Sequence, residues 1–101
     1  MRMHDLSFYR TPAERCQDVA ARAKARRKAM GLTQEQLAGK SGVSLGSLRR
    51  FEQTGEISFH SLARLAQALE CEDGLEGLFA ERYYHDIREI IDEQRKKHPR
   101  S

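Results

Sequence analysis

The chain has 101 residues, two cysteines, no tryptophan and a formal net charge of +3. That length fits one domain with a modest core. Cys16 and Cys71 have neither metal-ligand spacing nor a disulfide framework, and no apolar run nears the ~18 residues of a membrane span, so the expected setting is a reducing cytoplasm, without secretion signal or membrane contact.

The charge is unevenly spread. Residues 1–50 hold eleven Lys/Arg against four Asp/Glu, net +7, and residues 51–101 hold seven against eleven, net −4. Such asymmetry points to a basic surface for an anionic partner and a separate acidic region.

In chain order, residues 1–11 form a short arm in which Phe8 and Tyr9 are candidates for docking. Thr11, Pro12 and Glu14 then make a helix start, with a cap, a proline suited to the first helical position and a closing capping box. This first helix runs to Met30 and stops at Gly31. Cys16, Val19, Ala20, Ala23 and Met30 recur at helical spacing on one stripe, and Arg27 falls on the same stripe. Thr33 and Gln36 form a second capping box ahead of a short helix, and residues 41–43 break it. Ser44 caps a third helix, Leu45 to about Thr54, ended by Gly55. Ser58 caps a fourth, with Phe59, Leu62, Leu65, Ala66 and Leu69 on one face. A further helix begins near Gly74, with Leu75, Leu78 and Phe79 apolar. No proline or glycine interrupts the chain from Ala80 to His98, so residues 81–101 read as an amphipathic helix whose stripe is Tyr83, Tyr84, Ile87, Ile90 and Ile91. No strand-like alternation stands out, and the chain reads as all-α.

The second and third helices carry the functional signal. Ala38 is small where two helices would cross closely. Gly42 sits at the turn, where a left-handed backbone costs glycine nothing. Leu37, Val43, Leu48 and Phe51 supply apolar locks. This set is what a helix-turn-helix unit needs. Leu48 and Phe51 then point inward, while Ser44, Gly46, Ser47, Arg49, Arg50 and Gln53 point largely out. If the third helix enters a major groove, its N-terminal half meets base edges and phosphates. Arginine fits guanine O6 and N7 in bidentate fashion. Gly46 and Ser47 are short enough to permit close approach. Arg49 and Arg50 are therefore candidate DNA contacts; the residue types leave open which reads a base and which holds a phosphate. Gln34, at the start of the second helix, is a candidate phosphate contact.

The segment GLTQEQLAGKSGVSLGSLRRFEQTGEISFHSLARLAQAL resembles the XRE group of helix-turn-helix domains, the class of the Cro and lambda-type phage repressors. The resemblance spans roughly residues 12–80. It implies a five-helix lambda-repressor-like DNA-binding domain, here with an additional C-terminal helix, that works as a homodimer on palindromic double-stranded DNA. It also implies a buried ion pair, which falls on Arg27 and Glu52. Burial of a lone Arg27 would be costly, so a partner is required there. Carried over position by position, the DNA contacts fall on Gln34, Ser44, Leu45, Gly46, Ser47, Arg49 and Arg50. Leu45 and Gly46 depart from the glutamine-like readers of many relatives.

The phrase FYRTPAERCQDVAARAKARRKAMGLTQEQLA, with its aromatic arm, is similar to antitoxins of HipB type. That resemblance implies an autorepressor paired with a HipA-like kinase toxin. The alternative is a stand-alone XRE-type transcriptional regulator, and a third reading is a docking adaptor that has lost DNA binding. Better-known HipB-type members carry a strand and a tryptophan-bearing tail, whereas this chain has no tryptophan. The stripe Leu78, Phe79, Tyr83, Ile87, Ile90 and Ile91 is the candidate dimer or partner contact. No enzyme is expected. His4, His60, His85 and His98 are isolated, no glycine-rich phosphate loop is present, and no metal or cofactor is expected. Cys16, on the inner stripe, is expected in the core rather than as a nucleophile.

Overall fold

The computed structural model describes residues 9–80. Five helices follow one another: α1 (Pro12–Ala29), α2 (Gln34–Ser41), α3 (Leu45–Thr54), α4 (Phe59–Ala68) and α5 (Asp73–Glu76). The described residues contain no strand. The expected C-terminal helix, with Tyr83, Ile87, Ile90 and Ile91, lies outside the described residues, as does most of the arm.

Each of the first four helices starts where a side-chain oxygen can satisfy a free backbone N–H. Thr11 accepts from the Glu14 N–H at 3.1 Å, and the Glu14 carboxylate accepts from the Thr11 N–H at 2.8 Å. Thr33 and Gln36 repeat this reciprocal box at 3.0 and 2.9 Å. Ser44 and Ser58 accept from the N–H groups of Ser47 and Ser61, each at 3.1 Å. At the other ends, Gly42 and Gly55 adopt φ of +77° and +82° and return their N–H groups to Ala38 and Phe51.

α1 packs on α3, and α2 packs on both α3 and α4. Their common core is Ala20, Leu37, Val43, Leu48, Phe51, Leu65, Ala68 and Leu69. Val19, Ala23, Met30, Ala38, Ile57 and Leu62 close around it, each partly buried. Phe51 is 1% exposed and is the largest of the fully buried side chains. It seals α3 onto the rest, which leaves the opposite face of α3 bare.

Four expectations are corrected. Cys16 is exposed, because the core reaches along α1 only as far as Val19 and Ala20; its side chain lies on the right stripe but beyond the core's end. Phe59 is 60% exposed although it starts the apolar face of α4, and it too stands at an end of the core. The helix expected to start near Gly74 and carry Phe79 is the single turn α5, which ends at Glu76. Phe79 has φ of +65° and is 87% exposed, so the helix cannot run through it. Tyr9 is 70% exposed, so it does not dock the arm; the expectation for Phe8 lies outside the described residues.

Candidate nucleic-acid interface

The α2–α3 unit sets the geometry of the site. Gly42 supplies the left-handed turn, and the Ser41 hydroxyl accepts from the Val43 N–H at 3.1 Å, tightening the connection. Leu37, Val43 and Leu48, each 4% exposed or less, fix α3 against α2. Ser44, Gly46, Ser47, Arg49, Arg50 and Gln53 are all exposed, and Leu45 is half-buried. The candidate contacts on α3 are therefore brought to one exposed side, apart from Leu45, which is half-buried.

Gly46 adds a separate observation. A Cβ there would meet no atom within 4 Å apart from its own stretch of helix. Its φ is not in the left-handed region, so neither conformation nor packing demands glycine. Glycine within a helix costs roughly 0.5–1 kcal/mol relative to alanine. The fold thus carries a small cost at the middle of its exposed face.

The two arginines differ in their surroundings. Arg49 Nε donates to Gln34 Oε1 at 3.3 Å, and its Nη2 donates to Glu35 Oε2 at 3.4 Å. Arg50 pairs with Glu56, with Nε donating at 3.0 Å. In both ion pairs all four side chains are more than half exposed, at 51% and 64% for Arg49–Glu35 and at 69% and 62% for Arg50–Glu56. Exposed pairs of this kind contribute only ~0–1 kcal/mol, so a nucleic-acid phosphate can displace the carboxylates at little cost.

Beneath this surface lies a buried pair. Arg27 Nε and Nη2 donate to Glu52 Oε2 and Oε1 at 2.8 and 3.0 Å, and Arg27 Nη1 donates to the Leu32 carbonyl at 2.8 Å. The side chains are 8% and 3% exposed. The fork-to-fork geometry satisfies both partners, and among the described residues no buried side-chain nitrogen or oxygen lacks a partner. Gln34 joins the pair, its Nε2 donating to Glu52 Oε1 at 2.9 Å. Sequence reasoning assigned Gln34 only to phosphate, and it missed Glu35 and Glu56 as partners of the arginines. No spacing rule predicts these contacts, since they join different helices or cross a loop.

Burial pushes the Glu52 carboxyl up, but the hydrogen bonds from Arg27 and Gln34, with the charges of Arg27 and Lys24, outweigh it and hold the pKa below its usual 4.5. A carboxyl depressed in the folded state contributes stability that is present above its unfolded pKa and is lost as pH falls through the folded value. The expected result is a urea midpoint that drops more steeply in wild type than in Glu52→Gln as the pH is lowered below about 4.5. Parallel profiles for the two proteins would remove Glu52 from the acid sensitivity.

A concave region lies away from the α2–α3 turn. It encloses about 500 Å³ between α1, α4 and the α5 region, with Val19, Ala23, Phe59, Leu62, Leu75 and Leu78 supplying apolar surface and Arg22 and Arg26 also lining it. Leu78 is 48% exposed. Among the described residues no group of His, Cys, Asp or Glu could hold a metal, and no helix is long and apolar enough to cross a membrane.

A glycine turn, buried locks and an exposed polar third helix define a helix-turn-helix protein. Residues 24–74 match the family model described as helix-turn-helix, and the chain belongs to that family, in its XRE branch. The class is one of DNA-binding transcriptional regulators rather than enzymes. Neither the search of curated proteins nor the search of solved structures found a match.

Proposed function

We propose that the chain is a sequence-specific autorepressor that serves as the DNA-binding antitoxin of a HipA-like kinase toxin–antitoxin complex. Residues 12–80 act as the DNA-binding domain. A homodimer places two copies of α3 on a palindromic operator. Gln34, Ser44, Leu45, Gly46, Ser47, Arg49 and Arg50 line the DNA face.

The observation that carries the DNA reading is the outer face of α3. It combines two arginines whose ion pairs are exposed and exchangeable with a glycine that the fold does not require. A glycine kept at such a position lets a surface come close to the helix backbone, and a major groove is such a surface. The partner reading is supported by the HipB-like sequence and by the apolar concavity between α1, α4 and the α5 region, which a protein ligand could fill.

The DNA arm is tested by selecting an operator from random duplexes with the full chain and titrating it across salt. Affinity is expected to fall steeply as salt rises, because phosphate neutralisation releases counterions. A flat response counts against every DNA-binding reading. Arg49→Ala or Arg50→Ala is expected to weaken operator binding by about 1–3 kcal/mol where the side chain reads a base. An equal loss on random DNA assigns that arginine to phosphate instead. The partner arm is tested by gentle purification of the chain tagged at its native locus. Stoichiometric recovery of a HipA-like kinase supports the antitoxin role, and a clean dimer alone makes the chain a stand-alone regulator.

A further inference from the structure

We propose that Gln34 is a positioning residue for Arg49, linking the buried Arg27–Glu52 pair to the exposed face of α3. The inference rests on the DNA-binding reading for its purpose, but not for its geometry. The ionised Glu52 carboxylate can only accept hydrogen bonds, so the NH₂ end of the Gln34 amide must face it. That contact, at 2.9 Å, turns the amide oxygen away from Glu52, and there it accepts from Arg49 Nε at 3.3 Å. An arginine can only donate, so both ends of the amide are chemically matched to their neighbours and a flipped amide would mismatch both.

The anchor of this chain of contacts is rigid. The Glu52 side chain is 3% exposed and is gripped by two nitrogens of Arg27 at 2.8 and 3.0 Å. Arg27 is itself tied to the Leu32 carbonyl, ahead of α2. The link therefore runs from the α1–α2 connection, through the end of α3, to the first residue of α2, and back to the middle of α3. Arg49 sits at its outer end with half its surface in solvent. Holding the Nε edge fixes the plane of the guanidinium and leaves Nη1 outside these contacts. A flexible arginine would lose side-chain entropy on binding DNA, and one held beforehand loses less.

Two measurements on the full-length protein test this. The first uses the Arg49 Nε–H signal in ¹⁵N-labelled free protein, assigned by its disappearance in Arg49→Lys. Hydrogen exchange at that site is expected to accelerate by about tenfold or more in Gln34→Met, which keeps the side-chain length but removes the amide. Unchanged exchange in a folded Gln34→Met protein would overturn the proposal, whether or not the chain binds DNA. The second is a double-mutant cycle on the selected operator and on random DNA. Gln34→Met is expected to lower the operator-to-random affinity ratio about threefold to tenfold, and to cause no further loss in the Arg49→Ala background. A phosphate contact by Gln34 itself weakens both DNAs alike and cancels in that ratio, so full additivity in the ratio would mean that Gln34 reads the operator independently of Arg49, and would overturn the positioning role. If Gln34→Met fails to fold, Gln34→Leu at lower temperature gives the same exchange comparison with the same two outcomes. A chain that binds no DNA while the exchange effect holds would sink the DNA reading alone.

Discussion

Glu52→Ala is expected to destabilise the protein by about 3–5 kcal/mol, the cost of leaving one member of a buried ion pair without its partner. Three observations set that scale. Arg27 is buried, its side chain only 8% exposed, and two of its nitrogens hydrogen-bond to Glu52. Once the carboxylate is gone, the Leu32 carbonyl alone remains for a guanidinium that water barely reaches. Gln34 loses its anchor in the same step. The loss is a large share of the ~5–15 kcal/mol that holds a domain of this size together. Urea unfolding followed by circular dichroism measures it directly. The informative comparison is the double variant Arg27→Met/Glu52→Leu. If the penalty of the single change comes from an orphaned charge, the double variant recovers much of the stability, since apolar replacements of buried pairs are often neutral. An unchanged melting curve for Glu52→Ala would show that the pair does not hold the fold.

Gly55→Ala is the second large effect, expected at about 2–5 kcal/mol from left-handed backbone strain together with overpacking. The residue ends α3 with φ of +82°, and its missing side chain is where α1 passes. An added Cβ would lie 2.8 Å from the Cys16 carbonyl carbon and 2.9 Å from the Gln17 nitrogen. Those are backbone atoms of a helix, so they cannot move aside alone; α1 would have to shift as a unit. Gly31 provides the control. It has φ of +72° but no atom within 4 Å of its would-be Cβ. Gly31→Ala should therefore cost only the conformational part, about 1–2 kcal/mol. Equal losses in the two variants, measured by urea midpoint, would mean that close packing on α1 contributes nothing at Gly55.

The apolar concavity bears on the partner reading in a way that stability measurements do not. Phe59 and Leu78 are large and exposed, and both line it. Arg22 and Arg26 join them, and Arg26 Nε also donates to the Leu69 carbonyl at 3.0 Å, closing the end of α4. An occupant of this surface would meet apolar side chains and two guanidinium groups together, which suits an amphipathic segment with acidic flanks.

The local features of this protein were written in its sequence. Thr11, Thr33, Ser44 and Ser58 mark helix starts because a short side-chain oxygen one residue before a helix can reach an N–H within its own turn. Gly42 and Gly55 mark helix ends because only glycine takes the left-handed conformation freely. Leu37, Val43, Leu48 and Phe51 identify the α2–α3 unit because their spacing puts Leu37 on α2, Val43 in the turn, and Leu48 and Phe51 on the inner face of α3. Those are short-range constraints, and each depends on a few neighbouring residues. What only the tertiary structure decided is depth and reach. Periodicity gives the side of a helix that faces inward but not where the core stops, which is why Cys16 and Phe59 lie on the correct faces and remain exposed. It shows Gly55 as a stop and not as the place where α1 crosses. It puts Arg27 in the interior, and leaves unread the amide of Gln34 between Glu52 and Arg49, because a hydrogen bond across helices depends on axial positions to within an ångström or so, and those are set by the packing of the whole domain.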